Sequence, residues 1–312
     1  MPSRKKETEP DELDSLLMEL NRKTGIEFSI KKPNPAGREE TLLKLKSLLN
    51  PGDDFRDKND FLKKALTGET GQDRLYEGMR QFHMEESGLY QLWLAETGDV
   101  SDENAEYILK SIFHTPAAFS VLRTDRTHIA LLKNVKPEDA GNEAGLRETA
   151  QTIYDMLSAE ALLSADIAYS MQARKIADLP DSFRETSMAL KIGRIFYAQN
   201  HIFPCNRLGI ARLVYELPVD VCRKYLAEVF GEKEPEDFDE ETVHIISVFF
   251  ENGLNISEAA RQLYMHRNTL VYRLEKISRS SGLDIRNFDD AVTYKIATMI
   301  QEYIRYKTKN PD

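Results

Sequence analysis

Two cysteines, one tryptophan and no long apolar run mark this 312-residue sequence by what it has little of. Cys205 and Cys222 are too few for a disulfide framework and lack metal-ligand spacing. That excludes a stapled secreted scaffold and points to a reduced cytoplasmic protein. No stretch approaches the roughly 18 to 20 apolar residues that span a bilayer, so no membrane partner is expected. The start, MPSRKKETEPDELDSLL, carries basic residues without a following apolar segment and does not read as a secretory leader. Excess positive charge is missing as well. A formal net charge of −10 argues against a chain that coats nucleic acid by bulk electrostatics, but leaves room for a local basic face.

Phosphate and metal motifs are equally scarce. GETG (Gly68 to Gly71) lacks the Lys-Ser/Thr of a phosphate-binding loop and reads as a surface turn. His83, Glu85 and Glu86 fit a solvated helix end better than a metal site. No cofactor is expected.

What is present is ordinary globular material, 41% hydrophobic and 30% charged, in a chain long enough for about two or three domains. Four segments are predicted. Residues 1–85 are mostly helical: DELDSLLMELNRKTG forms a helix with Leu13, Leu16, Leu17 and Leu20 at helical spacing, IEFSI alternates as a strand, and REETLLKLKSLLNPG is a second helix. Residues 86–205 read as strand, helix, hairpin, helix, strand, helix. GLYQLWLAE opens the series, AAFSVLRTDRTHIALLKNV makes the hairpin, and a helix beginning near Asp181 or Ser182 closes it, with a short strand at HIFPC. This is an α+β unit with helices packed on a mainly antiparallel sheet. Residues 206–236 hold two short helices and a charged linker, and 237–312 form an all-helical end. The fold class is therefore multidomain α+β.

The last segment carries the chemistry. A helix from Glu241 to Asn252 presents Val243, Ile246 and Phe250, and Asn255 or Ser257 caps the next. There Ile256, Ala259, Ala260 and Leu263 stand at i, i+3, i+4 and i+7, and the small alanines let two helices cross closely. YMHR interrupts, with Met265 placed to plug the angle. In the following helix Leu270, Leu274 and Ile277 form the back, while Asn268, Thr269, Tyr272 and Lys276 lie in front and Arg273 on the flank. His266 and Arg267 project from its N-terminus, where backbone N–H groups favour a phosphate. From Asn255 to Ser281 five basic residues stand against two acidic ones. An apolar back under a front of base-edge and phosphate donors is the polarity of a recognition helix, although a helical hairpin with a plain polar face has the same pattern.

YMHRNTLVYRLEKISRSSGLDIRNFDDAVTYKIA resembles the C-terminal helix-turn-helix of the PucR/CdaR family of bacterial transcriptional regulators, over about Val243 to Ile300. HRNTL.YRL.KI, the Gly282-Leu283-Asp284 turn and the acidic lead-in Asp289-Asp290 to a final helix make this a multi-part match. A similar helix-turn-helix occurs in the factor-for-inversion-stimulation proteins, where the residues matching His266, Arg267 and Thr269 face DNA. The resemblance implies a homodimer on double-stranded operator or promoter DNA that regulates a metabolic operon, often as an activator answering a small-molecule effector. Residues 1–85 do not match the sugar-diacid or purine-catabolism sensors of some family members, so the effector class, and whether there is a small-molecule effector at all, is left open. The resemblance also makes 86–205 a degenerate relative of the GGDEF nucleotide cyclases, through the helix with Ser182, Phe183, Glu185, Ala189 and Leu190, with Ser187 where that family usually has alanine. Its hairpin, Arg123 to His128, has no glycine for triphosphate approach and one lone acid, so catalysis is not expected. The competing classes are a signalling protein with a nucleotide-binding or residual cyclase-like middle, and a helix-turn-helix turned to protein contacts. The final helix, with Val292, Ile296, Ile300 and Tyr303, packs on the recognition unit or forms a dimer seam.

Overall fold

The computed structural model describes residues 12–24, 55–98, 103–113, 119–231 and 239–310. The predicted IEFSI strand and REETLLKLKSLLNPG helix lie outside them. The chain divides into two compact units that interleave in sequence. One takes the described residues up to Leu92 with 99–142 and 172–184, and the other takes 93–98, 143–171 and 185–312. These units, grouped by contact, divide the chain differently from the four segments read along the sequence.

The first unit holds α1 (Glu12–Thr24), α2 (Lys58–Thr67), α3 (Gln72–Gln81), α4 (Glu103–Ile112) and the hairpin β2 (Phe119–Arg123) and β3 (His128–Val135). It also takes the first half of β1 (Leu89–Glu96) and the two-residue β5 (Arg174–Lys175). Its strand order is β2-β3-β1, with β5 paired antiparallel to β1 at Leu89–Lys175 and Tyr90–Arg174. The hairpin register runs from Phe119 opposite Lys133 to Arg123 opposite Ile129. Helices α2 and α4 pack on β2.

The second unit joins the rest of β1 to β4 (Asp166–Tyr169) and β6 (Ile202–Pro204), in the order β1-β4-β6. β4 runs antiparallel to β1 and parallel to β6. β1 does not alternate: Leu92, Trp93, Leu94 and Ala95 are all buried, the signature of a strand covered on both faces. Helix α5 (Glu143–Glu160) lies against β4 and β6 and accepts, through the Leu146 carbonyl, the Trp93 indole N–H at 3.0 Å. That satisfies the one polar atom of a fully buried ring. Helix α6 (Leu179–Phe196) starts earlier than predicted, because a 3-10 turn at Ile176–Asp178 leads into it and Pro180 is tolerated in a first turn. At Gly193 any Cβ would sit 2.5 Å from the Phe203 ring, so helix and strand approach more closely than alanine allows. Arg194 pairs with both Glu96 and Asp166, and Asp166 also bonds the His201 ring at 2.9 Å, tying together the ends of β1 and β4.

The second unit continues through α7 (Ile210–Tyr215) and α8 (Val219–Phe230) into four further helices. These are α9 (Glu240–Glu251), α10 (Ile256–Gln262), α11 (Arg267–Ser281) and α12 (Phe288–Lys309). Helix α12 packs on α7 and α8, with the Tyr303 and Tyr215 rings 5.7 Å apart. The predicted stripe on α12 holds at Ile300 and Tyr303, but Val292 is 38% exposed and the packing falls to Ala291, Tyr294 and Ala297. No described helix is long and apolar enough to cross a membrane.

Candidate nucleic-acid interface

Helices α9, α10 and α11 surround one apolar cluster built from Ile245, Val248, Phe249, Ala259, Ala260 and Leu270, extended by Leu274 and Ile277. The expected face of α9 is corrected here. Val243 is 53% exposed, Ile246 is buried and Phe250 partly buried, while Ile245, Val248 and Phe249 make the main contact. With apolar residues at six of its eight positions from Val243 to Phe250, α9 offers more than one apolar stripe, and the crossing with α10 selects among them. On α10 and α11 the expected stripes stand: Ala259, Ala260, Leu270, Leu274 and Ile277 are buried, and Ile256, Leu263 and Met265 pack against them.

Each corner is fixed by a named cap. The Asp239 carboxylate accepts the Thr242 N–H at 2.8 Å and starts α9. Gly253 and Leu254, both at positive φ, turn the chain after α9. Asn255 accepts from the N–H groups of Ser257 and Glu258 and starts α10, and Asn252 reaches Gln262 at 2.7 Å to tie the end of α9 to the end of α10. The four-residue turn Leu263 to His266 follows. His266 Nδ1 accepts the Asn268 N–H at 3.2 Å and caps α11, an acceptor role that leaves Nε2 to carry the proton of the neutral ring. Gly282 at φ 77 ends α11. Beyond it Asp284 accepts two bonds from the Arg286 guanidinium, and Asp290 accepts the Asp284 N–H at 3.0 Å. Thus part of the acidic lead-in is spent fastening the turn between α11 and α12.

On the front of α11, His266, Arg267, Asn268, Thr269, Tyr272 and Lys276 are exposed. Their shared back is Leu270 and Leu274, both fully buried. Arg273 differs: it is half-buried and donates to Glu241 of α9 at 3.0 Å. Two other bases of the segment are also held, Arg261 by Glu258 and Arg279 by Glu275. Lys276 feels the Asp239 carboxylate, whose pKa the Thr242 hydrogen bond lowers, with Arg273 and Lys276 adding to the effect. Among the described residues Arg267 has no acidic partner. It therefore presents a full positive charge beside the exposed N–H groups of the α11 N-terminus.

One exposed residue carries no sequence-level signal. Tyr264, at the tip of the turn, is 98% exposed with φ 51, a conformation that costs a side-chain-bearing residue free energy. Its position in YMHR identifies it only as turn, and its backbone angle is invisible in composition or periodicity.

Elsewhere, Asp125 at the tip of the β2–β3 hairpin is used locally. Its carboxylate accepts from the backbone N–H groups of Thr127 and His128, both at 2.9 Å, and meets the His128 ring. Partial burial opposes its charge, but these bonds outweigh that and hold its pKa low. Among the described residues no three His, Cys, Asp or Glu side chains gather as a metal-holding group, His83, Glu85 and Glu86 included.

Residues 242–300 match the PucR C-terminal helix-turn-helix domain. Over 151 residues the chain is 30% identical to the purine catabolism regulatory protein of Bacillus subtilis (strain 168), covering 47% of this chain and 28% of that protein. It is 26% identical over 121 residues to the carbohydrate diacid regulator of Escherichia coli (strain K12), covering 39% and 31% respectively. A third relative, the DNA-binding transcriptional activator AdeR of Bacillus subtilis (strain 168), is 24% identical over 244 residues, or 75% of this chain and 57% of the relative. The matches thus span about a third or less of the first two relatives and just over half of the third. Helices α9 to α11 and the first half of α12 hold the stretch that matches the PucR C-terminal helix-turn-helix domain.

Proposed function

We propose that this protein is a cytoplasmic, sequence-specific DNA-binding transcriptional regulator that places α11 in the major groove. The observation that carries the reading is the division of α11, with Leu270, Leu274 and Ile277 buried behind an exposed polar front. Arg267 donates to guanine or to a phosphate, Asn268 is suited to adenine, and Thr269 offers a hydroxyl and a methyl. His266 and the first N–H groups of α11 favour a phosphate, and Tyr272 and Lys276 reach neighbouring ones. Arg273 contributes where phosphate displaces the exposed Glu241 carboxylate. The protein acts as a homodimer, because one such unit reads only a few base pairs.

Residues 237–312 are the reader, 1–85 an input or partner region, and the middle of the chain a module that carries a signal without catalysis. The engagement of Asp125 inside its own turn supports the last point. The targets include a metabolic operon, under the control of a small-molecule effector.

The test is selection of bound fragments from the source genome, using wild type beside an Arg267→Ala, Thr269→Ala double variant of unchanged circular dichroism. Wild type is expected to enrich a few promoter sites with a repeated half-site, and the variant to lose them. Equal enrichment by both would remove α11 from the interface. Enrichment by neither across a range of salt would favour a helix-turn-helix turned to protein contacts.

A further inference from the structure

A cavity of about 280 Å³ opens beside the DNA-reading helices, entirely within the second unit. Its wall is shared by Phe196 and Tyr197 at the end of α6, Phe230 at the end of α8, Phe250 of α9 and Tyr294 of α12. Ser280 and Ser281, in the last turn of α11, close one side. Five aromatic rings around one space favour a flat aromatic guest, which buries both faces without the entropy loss of a flexible chain. The volume lies at the small end of ligand sites, which suits one or two fused rings.

The charge of the guest follows from which ionic groups on the rim are already partnered. Glu302 and Arg305 stand one turn apart on α12; burial disfavours the Glu302 carboxylate and raises its pKa, and the Arg305 charge offsets this only in part. Lys295, a lining residue two turns before Glu302, has no hydrogen-bond or ion-pair partner for its ammonium among the described residues. Tyr294 adds no charge to the lining, since burial pushes its phenol far up. Ser247, Ser280 and Thr298 spend their hydroxyl protons within the protein, on Glu251 and on the carbonyls of Ile277 and Lys295. Among the described lining residues the Lys295 ammonium is thus a cation without an acidic partner.

We infer that this cavity is a binding site for a small planar aromatic anion, its ring between the aromatic walls and its acid group on Lys295. Because the walls include the end of α11 together with α6, α8 and α12, an occupant joins the reading helix to helices on both sides of it in the chain. The site itself does not depend on DNA; its regulatory role rests on the reading given above and makes the guest an effector.

The experiment uses the full chain and 2-naphthoate, titrated by calorimetry without DNA, with 2-naphthylmethylammonium as the charge-reversed probe. One site per chain is expected, with the cation and the Lys295→Glu variant each weaker by about tenfold. Ser247→Trp, an exposed position on the rim, fills the space and is expected to abolish binding while leaving the melting temperature in place. The site is overturned by no saturable heat at millimolar naphthoate, by binding that survives Ser247→Trp, or by the cation binding as well as the anion. Repeating the titration with a bound DNA site tests regulation separately. A changed naphthoate affinity is required by linkage, and an unchanged one overturns the effector role alone. Failure to find any DNA site leaves the first titration readable.

Discussion

Arg267 and Tyr264 are the two side chains whose surroundings invite the sharpest predictions. On the front of α11 Arg267 keeps its charge unshared, whereas Arg273 already serves Glu241. Arg267→Ala is expected to leave folding unchanged. Loss of a phosphate contact lowers affinity evenly across sequences and the salt slope by about one per site; loss of a bidentate guanine contact costs about 1–3 kcal/mol at one base position. Binding curves at several salt concentrations, on the selected site and on single-base variants, separate the two. No change in either would exclude Arg267 from the interface. For Tyr264 the argument runs through the backbone: a tyrosine held at φ 51 and 98% exposed gains no burial in return. Glycine relieves the steric cost, so Tyr264→Gly is expected to keep stability within about 1 kcal/mol of wild type or raise it. If the ring contacts the DNA backbone, affinity falls in the same variant. A stable variant with full affinity would show that the ring makes no contact.

At the scale of elements, the crossing of α10 and α11 depends on residues too small to seem important. Ala259 and Ala260 are buried at that crossing, and an added side chain has nowhere to go. Ala260→Leu is expected to cost about 1–3 kcal/mol by overpacking. Ser257→Ala, an exposed position on the same helix, should change stability by no more than about 0.5 kcal/mol. Urea midpoints of the two variants check the contrast, and an Ala260→Leu variant as stable as wild type would mean the helices have room to separate. The same small residues explain what the sequence made legible. On α10 and α11 apolar residues are sparse, so Ala259, Ala260, Leu270 and Leu274 leave one solution for the buried stripe. Asn255 could be read as a cap because its side chain suits that role. On α9 apolar residues are crowded, and the exposure of Val243 depends on the neighbouring helix, not on spacing. On α12 alanines carry much of the contact, and the stripe drawn through larger residues misplaced Val292. The left-handed turn at Tyr264, the pairing of Arg273 with Glu241 and the aromatic cavity all arise from residues brought together by folding. No local pattern announces them.

For the whole molecule the governing quantity is charge. On the proposed function, a chain with a net charge of −10 approaches a polyanion with few unpaired cations on the front of α11. Arg261, Arg273, Arg279 and Arg286 all have acidic partners at 4 Å or less. One unit therefore has limited electrostatic attraction for nonspecific DNA, and weak binding as a single copy follows. Two copies placed on half-sites about one helical turn apart double the contacts, and the spacing becomes part of the specificity. We expect light scattering to give a mass of two chains, on operator DNA if not already in free solution. Inserting about 5 bp between the half-sites turns one copy to the opposite face of the duplex and should abolish joint occupancy, whereas inserting about 10 bp restores the facing and recovers part of it. Band-shift titrations across such a spacing series read this directly. A single-chain mass on DNA, or indifference to the 5 bp insertion, would mean that one copy suffices and that specificity comes from elsewhere in the chain.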